Sequence, residues 1–322
     1  MIARRLEQLL VLILTATLVA LGGCSAPPSS SGDDAALEAD TGVDAAPDAA
    51  QITIATFNVR RFFDTECDSN RCGPNDWEEQ LSENGFNNRL DKLSAAIDDL
   101  DADVVLLQEI EKQSVLDALA AKFDGEYPVS ELGEIGNVAS VDVGVLARGT
   151  LVDTKGYRDS SDLQRPDGSH TRFAREFLRV DLDIDGERVI VFTAHFVSKA
   201  SDDAGRRLAE AQEARRILDE VAAQNDDALV VLGGDLNDTP DSEPMAALTD
   251  DGGLLRVGAD QSLEDVFTYV WNWEQEAIDH LLLASTSGGA YVDGSARSVH
   301  DRQPAGLGGS DHGALVATFE MR

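Results

Sequence analysis

The sequence predicts an α+β fold in which two mixed β-sheets pack face to face with helices outside, a four-layer α/β/β/α sandwich. Three observations carry this. Strand-like runs outnumber helical patterns, the helical patterns fall between groups of strands, and several strands are apolar throughout, as strands covered on both faces must be.

The chain begins with a segment that reads as an address rather than as structure. Arg4 and Arg5 precede an apolar run from Leu9 to Leu21, too short to span a bilayer comfortably and right for a secretory signal. It closes on Leu21, Gly22, Gly23 and Cys24, which resembles a bacterial lipobox. That resemblance implies removal of 1–23 and acylation of Cys24, with an uncleaved anchor as the competing reading. The expected location is therefore the cell envelope, by a lipid anchor in the outer membrane. Residues 24–50 are small, polar and acidic, with Pro27, Pro28 and Pro47; with so little to bury they are expected to form a disordered tether. One folded domain is expected over 51–322.

Within it, Ile52 to Phe57 alternates apolar and polar residues and reads as a strand ending at Asn58. Leu90, Leu93, Ile97 and Leu100 share one face of a helix expected over 87–100. Val104 to Leu107 reads as a buried strand delivering Gln108 and Glu109, and a second helix is expected near 113–123. Strands follow at 141–147, 177–184 and 188–194, the last ending at His195, with Asp185 and Gly186 turning a hairpin. Leu208, Ala211, Ala214, Ile217, Leu218 and Val221 mark a long helix within 201–221. Thr268 to Trp273 reads as an aromatic edge or loop strand, Ala277 to Leu283 carries Asp279, and a closing strand over 313–319 follows Asp311 and His312.

The central stretch is Leu229 to Pro240, LVVLGGDLNDTP. Its apolar run predicts a buried strand, which the two glycines break. Asp235 and Asn237 stand at alternate positions and would project together on an extended backbone. An ordinary Asx turn closing a strand is the competing reading.

The formal charge of −34 comes from 60 acidic against 26 basic residues, only five of them lysines. That surface repels nucleic acid and anionic membranes at long range and lacks a basic footprint, which argues against tight, processive nucleic-acid binding. It does not exclude hydrolysis, because a bound cation supplies positive charge at the phosphate. Export makes Cys67 and Cys72, which enclose a polar loop, a candidate disulfide; a zinc site would want more ligands.

Collected at strand ends are Asn58, Glu109, His195, Asp235, Asn237, Asp279, Asp311 and His312. Oxygen ligands suit a hard divalent cation, and histidines handle protons and phosphate charge. In order along the chain stand TFNVR, LLQEI, TAHF, GGDLND, AIDHLL and GSDHGALVA. With these motifs the chain from Ile52 to Phe319 resembles the endonuclease/exonuclease/phosphatase superfamily, the fold of pancreatic-type DNase.

The resemblance implies Mg²⁺, with Mn²⁺ or Ca²⁺ as substitutes, held by Asn58, Glu109 and Asp311. It implies phosphate contacts from His195 and His312, orientation of His312 by Asp279, water activation by Asp235 and transition-state donation by Asn237. Whether Asp235 or the His312–Asp279 pair is the base stays open. Among Arg172, Arg175 and Arg179, Arg175 best matches a phosphate-contacting arginine, against a surface arginine offsetting acids. HFVSK followed by Arg206 and Arg207 resembles the extracellular-nuclease branch and implies that Ser198 and Lys199 bind substrate phosphate. The loops over 61–86 and 155–171 read as acidic and polar, which points away from double-stranded DNA more than from phosphodiester cleavage. The expected activity is a monomeric surface phosphodiesterase acting on DNA or RNA. The alternatives are a phosphoesterase of lipid headgroups or small phosphoesters, and a catalytically dead binding protein.

Overall fold

Alternation along β1 (Gln51–Phe62) already defines two layers: Ile52 and Ile54 face one apolar core, whereas Ala55, Phe57 and Val59 face another. The computed structural model, which describes residues 49–201, 203–301 and 306–322, shows the same division throughout. The leader, Cys24 and most of the acidic tether lie outside the described residues. One mixed sheet runs in the order β15 (Gly289–Tyr291), β17 (Ala314–Met321), β1, β2 (Val104–Ile110), β4 (Asp142–Ala147) and β3 (Val129–Gly133), with β16 (Arg297–Val299) also paired to β17. The other runs β11 (Leu255–Arg256), β14 (Asp279–Leu283), β10 (Leu229–Asp235), β9 (Glu187–His195), β8 (Leu178–Ile184) and β5 (Thr150–Gly156). Between them lies a core that includes Val104, Leu106, Val143, Val191, Val231, Leu281 and Phe319. Each such side chain contributes about 1.5–3 kcal/mol on burial.

Helices α1 (Glu83–Asp98) and α2 (Gln113–Ala120) cover the outer face of the first sheet, where Leu93, Ile97, Leu116 and Leu119 meet Phe57 and Leu107. On the second sheet, α3 (Ala204–Gln224) and α4 (Glu243–Thr249) bury Ala214, Leu218 and Leu248 against Val230 and Leu232. The four-layer sandwich expected from the sequence is present. Helix starts differ where caps decide them: the Ser82 hydroxyl accepts from Gly85 N, so α1 begins before residue 87, and Asp203 accepts from Arg206 N at the start of α3. Two short ribbons, β6 (Leu163–Gln164) with β7 (His170–Thr171) and β12 (Tyr269–Trp271) with β13 (Glu274–Glu276), stand outside both sheets, and a single turn, α5 (Leu263–Val266), precedes the second. No helix among the described residues is long and apolar enough to cross a membrane.

Each sheet contains one central parallel pair, β1 with β2 and β9 with β10. Parallel strands end together, so Asn58 lies opposite Gln108 and His195 opposite Asp235. Pairing of β14 to β10 sets Asp279 beside Asp235.

Gly233 and Gly234 do not break the strand, contrary to the sequence reading; β10 runs through both. A Cβ on Gly233 would lie 2.5 Å from Leu106 Cδ1 and 2.8 Å from Leu281 Cδ2, so this glycine lets the sheets close up just before the site. Gly233→Ala is expected to cost about 1–3 kcal/mol of stability by overpacking, read as a lower urea midpoint at unchanged m-value; an unchanged midpoint would show that the sheets have slack there.

Candidate active site at the strand ends

Both parallel pairs stop at the same edge of the sandwich, and polar side chains from six separate segments converge there. Asn58 is buried and its Nδ2 donates to Asp235 Oδ2 at 3.0 Å, across the gap between the sheets, and to Glu109 Oε1 at 3.3 Å. Glu109 has a left-handed backbone (φ 69°) where the β2–β4 register shifts, and its Oε2 accepts from Arg61 N at 2.7 Å. This bulge turns the carboxylate out of the ladder towards the chain leaving β1.

Asp279, fully buried, accepts from the imidazole Nδ1 of His312 at 2.9 Å. Burial alone would lower the His312 pKa, but the charges of Asp279 and Asp235 outweigh it and raise it to about 10. Both ring nitrogens are therefore protonated near neutral pH: Nδ1–H is held by Asp279, and Nε2–H is left to donate to a ligand. The Tyr269 ring packs on His312 with centroids 4.8 Å apart. Asp235 is raised to about 7 by burial and by Asp279, against the lowering influence of His312 and the donors Asn58 and Asn237. His195 is held well below its ordinary value by burial, then by Arg175 and His312, so it is neutral at pH 7. Its Nδ1 is buried without a hydrogen-bond partner among the described residues, and its Nε2 stands 3.7 Å from Asp235 Oδ2.

Asn237 reaches the site by another route than strand alternation. Its backbone is left-handed (φ 55°), its N–H donates to Asp235 Oδ1 at 2.9 Å, and its Nδ2 donates to Phe196 O at 3.1 Å. The Asx turn that competed with the functional reading is present, and it is what seats the carboxamide beside the carboxylate. Asp311 is half-exposed, 3.5 Å from Arg60 Nε, and Arg60 N donates to Asn58 Oδ1. Glu109 and Asp311 offer carboxylates of the kind a divalent cation takes, whereas Asn58 turns its amide nitrogen to Glu109 and gives its Oδ1 to Arg60 N, so its oxygen would have to turn to join them. Asp235, Asp279 and His312 also bring one ligand-capable atom each within 4.8 Å of the others. The His312–Asp279 hydrogen bond occupies that second group, so its chemistry is that of an oriented imidazole.

The flanking basic residues divide. Arg175 is half-buried and makes no hydrogen bond or ion pair among the described residues, while its charge reaches His195, Asp142 and Glu210. Lys199 instead lies 3.4 Å from Glu276 Oε2 and 3.8 Å from Asp238 Oδ1, and the Ser198 hydroxyl accepts from Ala200 N. Arg207 is buried on Asp238 and Val197 O. Of the nearby loop, 155–171, the sequence reading stressed acids. Yet Arg158, Arg172 and Arg206 line an open cleft of about 870 Å³ with only Asp159 and Asp162 as acidic lining, and Arg172 lies three residues before Arg175. The balance there is cationic because Arg206 reaches across from α3, a contact no local window contains.

Sequence reasoning placed Gln108 at a strand end without giving it a role, and passed over Glu210. Gln108 is fully buried and donates to Leu106 O, Thr56 Oγ1 and Thr193 Oγ1, tying the two sheets behind Asn58. Glu210, buried on α3, accepts from Val197 N at 2.8 Å and from Ala174 N, fixing the segments after His195 and before Arg175; burial raises its pKa to about 7. The disulfide expected between Cys67 and Cys72 is present.

The profile of the endonuclease/exonuclease/phosphatase family matches residues 55–312. No curated protein sequence matches the chain. Among solved structures, an endonuclease/exonuclease/phosphatase from Bacteroides vulgatus is 18% identical with a TM-score of 0.59, covering 85% of this chain and 100% of that one. TDP2 of D. rerio, solved with a single-strand DNA product, is 15% identical with a TM-score of 0.58 over 84% of this chain and 100% of that one. Sphingomyelinase C from Streptomyces griseocarneus is 20% identical with a TM-score of 0.56 over 84% and 99%. At these identities the likeness is one of fold.

Proposed function

The chain belongs to the endonuclease/exonuclease/phosphatase family, whose members are typically hydrolases of phosphoesters, and on that premise we propose that it is a Mg²⁺-dependent phosphodiester hydrolase acting on nucleic acid outside the cell. The carrying observation is the convergence of Asn58, Glu109, His195, Asp235, Asp279 and His312 at one edge of the sandwich. Asn58, Glu109 and Asp311 would hold the cation. When bound, it would offset charge developing on the phosphoryl and leaving oxygens. His312, cationic and aimed by Asp279, donates to a phosphoryl oxygen. His195 is neutral and offers a ring nitrogen to the same group. Asp235 takes a proton from the attacking water or orients it, and Asn237 donates to the developing charge. Arg175, unpaired and half-buried, is placed to receive the phosphate.

The substrate class rests on the arginine-lined cleft and on exposed aromatics. Three arginines line the cleft in an otherwise acidic chain; Arg158 and Arg172 share one carboxylate, Asp159, and Arg206 lies 3.7 Å from Glu210, so a phosphate there would join or displace these pairs. Trp271 (58% exposed) and Trp273 (89% exposed) stand on the β12–β13 ribbon, whose Tyr269 packs on His312. Such rings stack on unpaired bases at about 1–3 kcal/mol each, which favours single-stranded or flexible nucleic acid. The same tryptophans support a second reading, hydrolysis of lipid headgroups at a membrane surface, where indoles also partition. The leader and Cys24 support export and lipid anchoring of a monomeric domain at the outer membrane, close to the extracellular-nuclease branch.

The test is a substrate panel of plasmid DNA, single-stranded DNA, RNA and sphingomyelin vesicles, with Mg²⁺ or with EDTA, beside Asp235→Ala. Metal-dependent nucleic-acid cleavage that the substitution abolishes is expected. Release of phosphocholine with nucleic acid untouched would install the second reading, and no metal-dependent hydrolysis of any member would reject both.

A further inference from the structure

A second carboxylate group lies on the other side of β2's end. The chain leaving β1 forms a loop pinned by the Cys67–Cys72 disulfide and carrying Asp64, Glu66, Asp68 and Glu78. Glu111 closes on this loop from β2: its Oε2 accepts from Asp64 N at 2.9 Å. Glu78 is 1% exposed and organises the loop by accepting from Asp68 N at 2.6 Å and Ser69 N at 2.7 Å. One carboxylate oxygen from each of Asp68, Glu78 and Glu111 lies within 4.8 Å of the others. Two oxygens bound at about 2.4 Å to one ion stand at most about 4.8 Å apart, so one ion can bridge all three.

Acidic residues gather on many surfaces, and this gathering alone would mean little. The pointed observation is Glu111 Oε1. Glu111 is 5% exposed, and this oxygen is buried with no hydrogen-bond partner among the described residues. Left unsatisfied, such an oxygen bears the full desolvation penalty of a buried acceptor. The obvious neighbour does not serve it. Lys112 sends its ammonium to Asp64 at 2.8 Å, Asp68 at 3.0 Å and Glu66 at 3.4 Å. One ammonium therefore meets three of the five carboxylates gathered here and leaves Glu78 and Glu111 without an ion pair among the described residues.

We propose that Asp68, Glu78 and Glu111 form a structural divalent-cation site of the calcium type, distinct from the catalytic group. Carboxylate oxygens select a hard cation, and the nearby sulfurs are consumed by the disulfide, which removes the ligands that would favour zinc. Three carboxylates on an irregular loop suit Ca²⁺, which accepts six to eight oxygens in flexible geometry, better than Mg²⁺, which takes one or two carboxylates and keeps its waters. Waters and loop carbonyls would complete the shell. The two groups share no partner: Glu109 holds Arg61 N and Asn58, whereas Glu111 holds Asp64 N. The second ion locks the loop that begins just beyond Arg60 and Arg61, and so rigidifies the approach to the active site.

The test is thermal unfolding of the chelator-stripped full chain titrated with CaCl₂, for wild type, Glu111→Gln, Asp68→Asn and Glu109→Gln. Glu111→Gln keeps an acceptor for Asp64 N, and Asp68 is exposed, so at least one variant at the site folds. Wild type is expected to show a saturable rise of roughly 5–10 °C once Ca²⁺ exceeds Kd a hundredfold. Glu109→Gln keeps this rise, Glu111→Gln loses it, and Asp68→Asn needs at least about tenfold more Ca²⁺. No rise in wild type, an equal rise in Glu111→Gln and Asp68→Asn, or its loss in Glu109→Gln would each overturn the proposal. Because unfolding is read without substrate, failure here leaves the phosphodiesterase reading standing, and the converse holds.

Discussion

Asp279→Asn is expected to lower kcat by about 10³–10⁴-fold with little change in fold, an effect of the size seen when the carboxylate of a catalytic triad is replaced by its amide. The reason lies in the balance at His312. Burial works to discharge the imidazole, and it remains charged to about pH 10 only because Asp279 and Asp235 face it. Asp279 Oδ2 also accepts the Nδ1 hydrogen bond at 2.9 Å and so sets the ring's orientation. An amide there removes the charge and can present a donor to Nδ1. Without Asp279, burial is opposed only by Asp235 and Asp311 and the His312 pKa falls from its raised value. Wild-type activity should therefore persist towards pH 10, whereas the alkaline limb of the variant's residual activity should move to lower pH. Initial rates on one oligonucleotide across pH 5–10, with His312 followed by NMR, check both limbs. A variant with full activity, or one whose alkaline limb has not moved, would assign Asp279 a purely structural place.

Much of this site could be anticipated from local pattern because most of its residues flank an apolar run, at its end or, for Asp279, Asp311 and His312, at or just before its start. Glu109 follows Val104–Leu107, and His195 and Asp235 end β9 and β10; the first strand does not end at Asn58 as expected but runs on to Phe62, with its register against β2 shifting just after Asn58. A buried strand has to leave the core somewhere, and polar residues mark the place. What stayed hidden depends on contacts between distant segments. The Asn58–Asp235 hydrogen bond joins residues 177 apart, and only the family resemblance implied that they meet. Gln108 is masked by the apolar run it terminates, though it links β1, β2 and β9. Glu210 resembles any surface glutamate of a helix until the segments it holds, at Ala174 and Val197, fold over it. The glycines of β10 were misread for the same reason: Gly233 makes room for Leu106 and Leu281, and Gly234 for the backbone of Ala194 on β9, all from outside the strand.

Asp235→Ala is expected to reduce kcat/KM by about 10²–10⁴-fold and to decide which group is the base, a point the sequence left open. Asp235 is raised to about 7 because it is buried beside Asp279. Its ionised form therefore accumulates as pH rises through about 7, and a reaction that needs this carboxylate has its acid limb there. His312 cannot supply that limb, because with a pKa raised to about 10 it is still protonated across the range and acts as donor. His195 cannot supply it either, being held neutral well below that pH by burial. In wild type, kcat/KM should accordingly rise with unit slope below about pH 7 and level off above it. In Asp235→Ala the remaining activity should lose that slope while keeping its metal requirement. If the limb survives unchanged, the proton goes to another acceptor, and Asp235 is left with orienting Asn58 and the backbone of Asn237, to which it is bonded at 3.0 and 2.9 Å.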